Sequence, residues 1–331
     1  MPQNRRIVLA SRPAGEVTAE NFRLETVDTP TLDEGQLLVR NEWLSLDPYM
    51  RGRMNEGRSY AQAQALNETM IGGTAGRVVE SRHPKFKAGE AVVGILGWQE
   101  YGVSDGTGLY KADTTHIPLS AYLGPVGMPG VTAWYGLNKI IEPKAGETIV
   151  VSAASGAVGS VVGQLAKLAG CRAVGIAGGK DKCDYVVDEL KFDACIDYKA
   201  QDVAKALKAA APDGIDGCFE NVGGAVFDAV LPRMNAFGRI ALCGLIAGYN
   251  AQPIPIQNPT WFLLSRLKLQ GFIVSEHMAL WPQALKELGT HVASGRIRYR
   301  ETVAPGLESA PQAFIGLLKG RNFGKQLVKL G

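Results

Sequence analysis

The chain has 331 residues, of which 46% are apolar and 20% are charged, and its formal net charge is +3. This length allows two domains with well-filled cores, and this composition excludes a disordered chain. The basic residues are scattered, which argues against nucleic acid as the main partner, and no apolar run is long enough to span a membrane.

The first third of the sequence is typical of an all-β domain. Its short apolar segments are separated by Gly, Pro and Asp, and no long helical pattern accompanies them. The predicted strands cover residues 37–46, 76–81, 90–95 and 99–103. We therefore expect a compact β-barrel or β-sandwich here.

From residue 148 onward, predicted strands alternate with predicted helices. The strands cover residues 148–153, 171–177, 194–197, 217–221, 239–243 and 269–274. The helices lie near residues 157–169, 180–191, 200–210, 224–234 and 259–266. This rhythm predicts an open parallel sheet that is covered by helices on both faces. A tail helix at 311–318 and a closing strand at 326–329 are expected to fold back onto the first domain.

The strongest single signal lies between residues 148 and 159. A β-branched run that begins at Thr148 ends in small residues, and apolar residues then recur at helical spacing as far as Gly170. A strand, a tight turn and a helix in this order present backbone N–H groups to a pyrophosphate, which is typical of a dinucleotide site. Ala154 replaces the first of the three usual glycines, whereas Gly156 and Gly159 remain where a side chain would block the phosphate or the helix packing.

The end of the second of these strands indicates which dinucleotide binds. An NAD site carries an Asp or Glu there, which accepts a hydrogen bond from the ribose 2′-hydroxyl. In this chain Ala177 is followed by two glycines, Lys180, Asp181 and Lys182, and Asp181 lies too far beyond the strand. Two lysines suit a 2′-phosphate better, so we expect NADP(H) as the cofactor. The alternative interpretation is a solvated lysine pair at the start of a helix.

Six segments in order along the chain carry a family resemblance. They cover residues 44–51, 127–133, 153–159, 219–224, 243–250 and 318–325. In these segments the chain resembles the zinc-independent medium-chain dehydrogenase/reductases, and in particular their alkenal/one double-bond reductase branch. That branch includes the leukotriene dehydrogenase/prostaglandin reductases and the curcumin reductase type. The resemblance implies an α/β protein with a Rossmann doubly wound parallel sheet at 125–296, which binds NADP, and a GroES-like β-barrel substrate domain at 1–124 and 297–331.

A metal site is not expected. Zinc-dependent relatives carry a Cys early in the barrel and a Gly-His-Glu motif, and the corresponding residues here are Asp47-Pro48 and Gly72-Gly73-Thr74. No cysteine precedes Cys171, and the four histidines are dispersed, so zinc would lack ligands. The five cysteines are odd in number and form no Cys-x-x-Cys pair, which favours reduced thiols in a cytoplasmic protein.

Without a metal, a hydroxyl group has to stabilise the enolate that forms when hydride reaches the β carbon of an enone. Tyr249 follows the end of a predicted strand, where open α/β sheets place ligands. The resemblance places it at the nicotinamide ribose and the substrate oxygen, and it implies that Tyr49 is the barrel's contribution to the substrate cleft. The alternatives are a loop tyrosine anchored by its hydroxyl for Tyr249 and a turn-packing aromatic for Tyr49.

The resemblance also implies the cofactor contacts. The pyrophosphate would be held by Ser155, Gly156, Ala157, Val158 and Gly159, and the 2′-phosphate would be flanked by Lys182 and Tyr198. The nicotinamide side would be lined by Asn221, Cys243, Gly244, Leu245, Ile246, Tyr249, Phe272, Ile273 and Val274. Asn322, from the returning tail, would close over the cofactor.

Together these features favour NADPH-dependent reduction of the activated C=C bond of α,β-unsaturated aldehydes or ketones. The alternatives are a zinc-independent NADPH quinone reductase and, in another class, a redox-inert NADPH-binding protein with a structural or sensing role. The two tyrosines favour the enone reductase. We expect a homodimer, because the apolar strand at 269–274 would otherwise leave an exposed sheet edge. We expect a small-molecule substrate and neither nucleic acid nor a membrane as partner.

Overall fold

The structure is a computed structural model that describes residues 2–250 and 254–331. It divides into two compact units. The first unit comprises Met1–Leu123, Glu301–Asn322 and Gln326–Gly331, and the second comprises Gly124–Arg300 and Phe323–Lys325. None of the helices in the described residues is both long enough and apolar enough to span a membrane.

The amino-terminal part of the first unit consists of seven strands and one short helix. They are β1 (Gln3–Leu9), β2 (Phe22–Asp28), β3 (Leu37–Ser45), α1 (Tyr49–Arg53), β4 (Thr74–Ser81), β5 (Ala91–Gly94), β6 (Tyr101–Ser104) and β7 (Tyr110–Lys111). The four predicted strands are confirmed as β3 to β6. The antiparallel hairpin of β1 and β2 was not predicted.

The second unit alternates strands and helices as predicted. Its elements are α2 (Met128–Tyr135), β8 (Thr148–Ser152), α3 (Gly159–Leu168), β9 (Arg172–Ala177), α4 (Lys180–Asp188), β10 (Ala194–Asp197), α5 (Val203–Ala210), β11 (Ile215–Glu220), α6 (Gly224–Val230), β12 (Met234–Leu242), α7 (Thr260–Leu264), β13 (Lys268–Gly271) and α8 (Trp281–Ala293). The chain then returns to the first unit through β14 (Glu301–Pro305), α9 (Ala310–Leu318) and β15 (Lys325–Lys329).

The six strands of the second unit form one parallel sheet in the order β10-β9-β8-β11-β12-β13. Apolar side chains fill both of its faces. In β8, Ile149 and Val151 belong to one buried cluster, and Val150 belongs to another, because successive side chains of a strand point to opposite faces. The prediction of a doubly wound parallel sheet is confirmed.

The first unit contains a separate sheet in the order β14-β15-β3-β4-β5-β7, with β6 also paired to β3. Strand β15 runs antiparallel to β3, so the carboxyl-terminal tail folds back onto this unit as predicted. Helix α9 supplies Phe314 to the core, where its ring lies 5.6 Å from Trp98 and 6.3 Å from Phe22. The tail therefore completes the hydrophobic core of the first unit.

One predicted strand is shorter than expected. The sequence pattern predicts a strand over residues 269–274, but β13 ends at Gly271. The ring of Phe272 packs 5.4 Å from Tyr135 and 6.2 Å from Phe219, and a 3₁₀ turn begins at Val274. The apolar segment 269–274 thus forms the end of the edge strand β13 and then leaves the sheet, where Phe272 packs against other aromatic rings.

Candidate active site

The predicted cofactor residues of the second unit follow the carboxyl ends of the parallel strands. Residues 155–159 follow β8, Lys182 follows β9, Tyr198 follows β10, Asn221 follows β11, residues 243–249 follow β12 and residues 272–274 follow β13. Because all six strands are parallel, these segments lie along one edge of the sheet, which is where open α/β sheets bind ligands.

The turn between β8 and α3 is tight. Ala153 adopts a left-handed conformation, with φ of 50°, and its carbonyl oxygen accepts a hydrogen bond of 2.9 Å from the Gly156 N–H. A Cβ atom at Gly159 would lie 2.4 Å from this same oxygen. Glycine at position 159 is therefore required for the close approach of α3 to β8, as the sequence motif predicts.

Positive charge gathers beyond β9 and β10. Lys182 is half-buried in the first turn of α4, and burial, together with nearby Lys199, lowers its pKa. Tyr198 packs over Gly178, since a Cβ atom there would lie 2.7 Å from the phenol oxygen. A bound dianion would relieve the repulsion between the two ammonium groups. Lys199 was not singled out from the sequence, although it directly follows Tyr198.

Lys180 differs from Lys182. Its ammonium group forms an ion pair with Asp184 four residues further along α4. Its side chain remains 82% exposed, so this contact is of the solvated kind that contributes little to stability. The alternative interpretation of a solvated lysine thus describes Lys180, whereas Lys182 is half-buried.

A buried carboxyl group connects the ends of three central strands. Glu220 is fully buried at the end of β11, and its Oε1 accepts hydrogen bonds from Val222 N–H at 2.6 Å, Gly223 N–H at 2.7 Å and Ser152 Oγ at 3.0 Å. Its backbone carbonyl accepts from Cys243 N–H at 2.9 Å. Glu220 therefore holds the segments after β8, β11 and β12 in register. Sequence reasoning missed it.

Replacing Glu220 with glutamine should preserve the fold and increase stability at neutral pH. A glutamine oxygen can replace Oε1, and Oε2 faces Cys218 Sγ at 4.0 Å. Burial raises the pKa of Glu220 above its usual 4.5, so its stabilising contribution is present while it is protonated and is lost as the pH rises through the raised pKa. Urea unfolding should show the gain of Glu220→Gln at about pH 8 but not at about pH 4.

Glu220→Ala is the matched control for this prediction. It leaves the N–H groups of Val222 and Gly223 without this acceptor, and the loss of a buried hydrogen-bond partner costs about 1–3 kcal/mol. The Ser152 hydroxyl keeps the Phe219 carbonyl as an acceptor at 3.5 Å. We expect this variant to be less stable than the wild type at both pH values. A glutamine variant that was also destabilised at both values would contradict the pKa argument.

Asn221 extends the same network. Its backbone N–H donates to Ser152 Oγ and its side-chain amide donates to the Ser152 carbonyl, both at 2.8 Å. Its own carbonyl accepts from Ile246 N–H at 3.2 Å. Asn221 thus fixes the segment after β12 relative to β8.

Tyr249 follows a 3₁₀ turn formed by Ile246–Gly248. Its phenol oxygen lies 3.3 Å from the point that a Cβ atom at Gly244 would occupy, and the Asn221 carbonyl oxygen lies 3.4 Å from that point. Because Gly244 has no side chain, the Tyr249 phenol can lie close to the backbone at the end of β12. Neighbouring Cys243 remains a neutral thiol, because burial and the charge of Glu220 raise its pKa to about 12.

The segment after β13 is held by packing and by a backbone hydrogen bond. The Phe272 side chain is engaged in core packing, and the Val274 carbonyl accepts a hydrogen bond of 3.2 Å from Trp281 Nε1. Val274 itself is buried. These contacts hold the segment in place, and its role in lining the nicotinamide side stays a prediction.

Tyr49 and Asn322 lie in the first unit. Tyr49 begins α1, where the Arg53 guanidinium lies 5.9 Å from its ring centroid. Burial and the charge of Asp47 raise the pKa of Tyr49, so its phenol keeps its proton at neutral pH and can donate a hydrogen bond. Asn322 lines an open cavity of about 350 Å³ beside α9, together with Arg321 and other tail residues.

Comparison with known proteins places these features in a family. A protein-family model described as "N-terminal domain of oxidoreductase" matches residues 5–112, and a second family model, described as "Zinc-binding dehydrogenase", matches residues 157–290. The NADPH-dependent curcumin reductase of Escherichia coli (strain K12) is 49% identical over 99% of this chain and 97% of its own length. The chain belongs to the medium-chain dehydrogenase/reductases, in their alkenal/one double-bond reductase branch.

Other members of the branch are similar over the same extent. The NADP(+)-dependent 2-alkenal reductase of Nicotiana tabacum is 43% identical over 98% of this chain and 97% of its own. The crystal structure of CurA in complex with NADPH from Vibrio vulnificus matches with a TM-score of 0.93 and 49% identity, covering 99% of each chain. The predicted membership of this branch is therefore confirmed.

The family model that matches residues 157–290 is described as zinc-binding, but the residues of this chain do not fit a zinc site. Within residues 2–250 and 254–331, no group of three or more His, Cys, Asp or Glu residues is gathered as a metal ion would need. The early cysteine is replaced by Asp47, which accepts a hydrogen bond from Ser45. No catalytic step is therefore assigned to a metal.

Proposed function

We propose that the chain reduces the activated C=C bond of α,β-unsaturated aldehydes and ketones with NADPH. The observation that carries this proposal is the near full-length similarity to relatives named for NADPH-dependent curcumin reduction and 2-alkenal reduction. The site geometry in the second unit is consistent with this reaction, because it combines a dinucleotide turn with a tyrosine at the edge of the sheet.

The residues present fit NADPH. The Ser155–Val158 turn before α3 would hold the pyrophosphate, because a helix N-terminus attracts anions. Lys182, Lys199 and Tyr198 would surround the 2′-phosphate, since the ammonium groups of Lys182 and Lys199 lie close enough for the second to add to the effect of burial on the pKa of the first. Bound NADPH supplies the hydride that is added to the β carbon of the substrate.

The substrate oxygen needs a hydrogen-bond donor, which Tyr249 would provide. Conjugation spreads the developing negative charge from the β carbon to that oxygen, so a phenol can stabilise it where a simple ketone needs stronger polarisation. Tyr49, in the first unit, is the other candidate donor, because its raised pKa keeps its phenol protonated. We also propose that the protein acts in the cytoplasm, since its cysteines are free thiols and form no structural disulfide, with neither nucleic acid nor a membrane as partner.

Product analysis with deuterated NADPH and an α,β-unsaturated ketone tests the reaction type. We expect deuterium on the β carbon of a saturated ketone, and we expect EDTA to leave the rate unchanged because no metal takes part. An allylic alcohol as the main product, or a rate lost to the chelator, would contradict the mechanism. NADPH binding without turnover would favour the redox-inert alternative, and turnover of quinones alone would favour a quinone reductase.

A homodimer is expected in solution. Within the described residues, β13 ends the order of the parallel sheet with β12 as its neighbour, and α7, just before it, exposes Leu263 at 75% and Leu264 at 56%. Pairing of two such edges would cover both features. Light scattering at micromolar concentration should give the dimer mass, and Leu263→Asp should shift it toward the monomer. A monomer mass for the wild type would rule out the dimer.

A further inference from the structure

Two free thiols lie in contact close to the proposed 2′-phosphate site. Cys183 is on α4 and Cys195 is on β10, and their sulfur atoms are 3.2 Å apart. Both residues are half-buried. A disulfide bond is about 2.05 Å long, and a movement of roughly 1 Å would therefore bring the two sulfurs to bonding distance.

We propose that Cys183 and Cys195 are a modification site that a hydroperoxide oxidises to a disulfide. The Cys183 sulfur attacks one oxygen of the O–O bond, which breaks to release an alcohol or water and leaves a sulfenic acid. The Cys195 sulfur then displaces the sulfenic oxygen, which leaves as water with the second thiol proton. Two thiols and one hydroperoxide thus give one disulfide, one alcohol or water, and one water.

The hydrogen bond between the thiols assigns their order. Cys195 S–H donates to Cys183 Sγ, which favours the thiolate form of Cys183, and the thiolate is the nucleophilic form of a cysteine. Burial raises the pKa of Cys183, and the hydrogen bond from Cys195 acts against this shift. For Cys195, burial and the neighbouring Cys183 both raise the pKa. Cys183 is accordingly the attacking sulfur and Cys195 the resolving one.

The position of the pair connects it to the cofactor site. Cys183 directly follows Lys182, and Cys195 lies two residues before Asp197. The Asp197 carboxylate accepts a hydrogen bond of 2.8 Å from the Gly179 N–H. Closing the disulfide draws the first turn of α4 toward β10 and displaces Lys182. Disulfide formation itself is independent of the proposed function, whereas its effect on NADPH rests on that function.

The test treats the full chain with hydrogen peroxide, blocks the remaining thiols with N-ethylmaleimide and maps peptides without reduction. Trypsin releases Cys183 in a peptide of residues 183–191 and Cys195 in one of residues 192–199, each with a single cysteine. We expect these two peptides to be joined, with the mass of two hydrogen atoms lost, and separated again by dithiothreitol. NADPH affinity, measured by fluorescence titration, should fall several-fold on oxidation and recover on reduction.

The variants make the result decisive. Cys195→Ser should abolish the joined peptide and leave Cys183 as a sulfenic or higher acid, whereas Cys171→Ser, at a buried thiol outside the pair, should retain the disulfide. Alkylation of both thiols after peroxide treatment would overturn the proposal, even if the enzyme reduces enones normally. A mapped disulfide with unchanged NADPH affinity would overturn the link to the cofactor site.

Discussion

Replacing Tyr249 with phenylalanine should lower kcat by roughly ten- to a thousandfold. The phenol oxygen sits against Gly244 at the end of β12, and the backbone around it is held by Asn221. The substitution removes only the hydroxyl, so the enolate oxygen loses a hydrogen bond that is stronger in the transition state than in the ground state. Steady-state kinetics with a simple enone measures the effect.

Two further tyrosines complete this experiment. Tyr101→Phe, on β6 and outside the proposed site, is the matched control and should leave kcat unchanged. Tyr49→Phe tests the other candidate donor, whose raised pKa keeps its proton in place. An unchanged rate in Tyr249→Phe would leave the reaction type standing and move the donor role to Tyr49 or to the ribose hydroxyl.

Replacing Lys182 with alanine should raise the KM for NADPH at least about tenfold, because losing a charge-assisted phosphate contact costs on the order of 1.4 kcal/mol. The KM for NADH should hardly change, since NADH has no 2′-phosphate. The wild type should prefer NADPH to NADH by a similar factor in kcat/KM. Initial rates at a saturating enone concentration, measured with NADPH and with NADH for the wild type and for Lys182→Ala, give the KM and kcat/KM of each protein for each cofactor.

The neighbouring lysine provides the control. Lys180→Ala removes an equal charge two residues away, but that charge is solvated and paired with Asp184, so the KM for NADPH should change little. Lys199→Ala should have an intermediate effect, because Lys199 lies near enough to Lys182 to lower its pKa. Equal kcat/KM with NADH and NADPH in the wild type would show that Lys182 and Lys199 do not recognise the 2′-phosphate.

Those features that depend on residues close together in sequence could be predicted before the structure was known. The turn after β8 is one of them, because the need for glycine at position 159 arises from Ala153 only six residues earlier. The alternation of β-branched strands and amphipathic helices is another, and it led to the parallel sheet. The missing acid after Ala177 and the missing early cysteine are also local facts, and they pointed to NADP(H) and away from zinc.

Only the tertiary structure decided how segments that are distant in sequence come together at the carboxyl ends of the parallel strands. The end of β13 at Gly271 depends on Phe272 packing against Tyr135, which is far away in sequence. The roles of Glu220 and Lys199 were invisible in the sequence because their partners belong to other strand ends. The contact between Cys183 and Cys195 likewise arises because α4 packs beside β10. Sequence patterns report the period and propensity of each segment, whereas the pairing of parallel strands and the packing of helices on them determine which side chains meet.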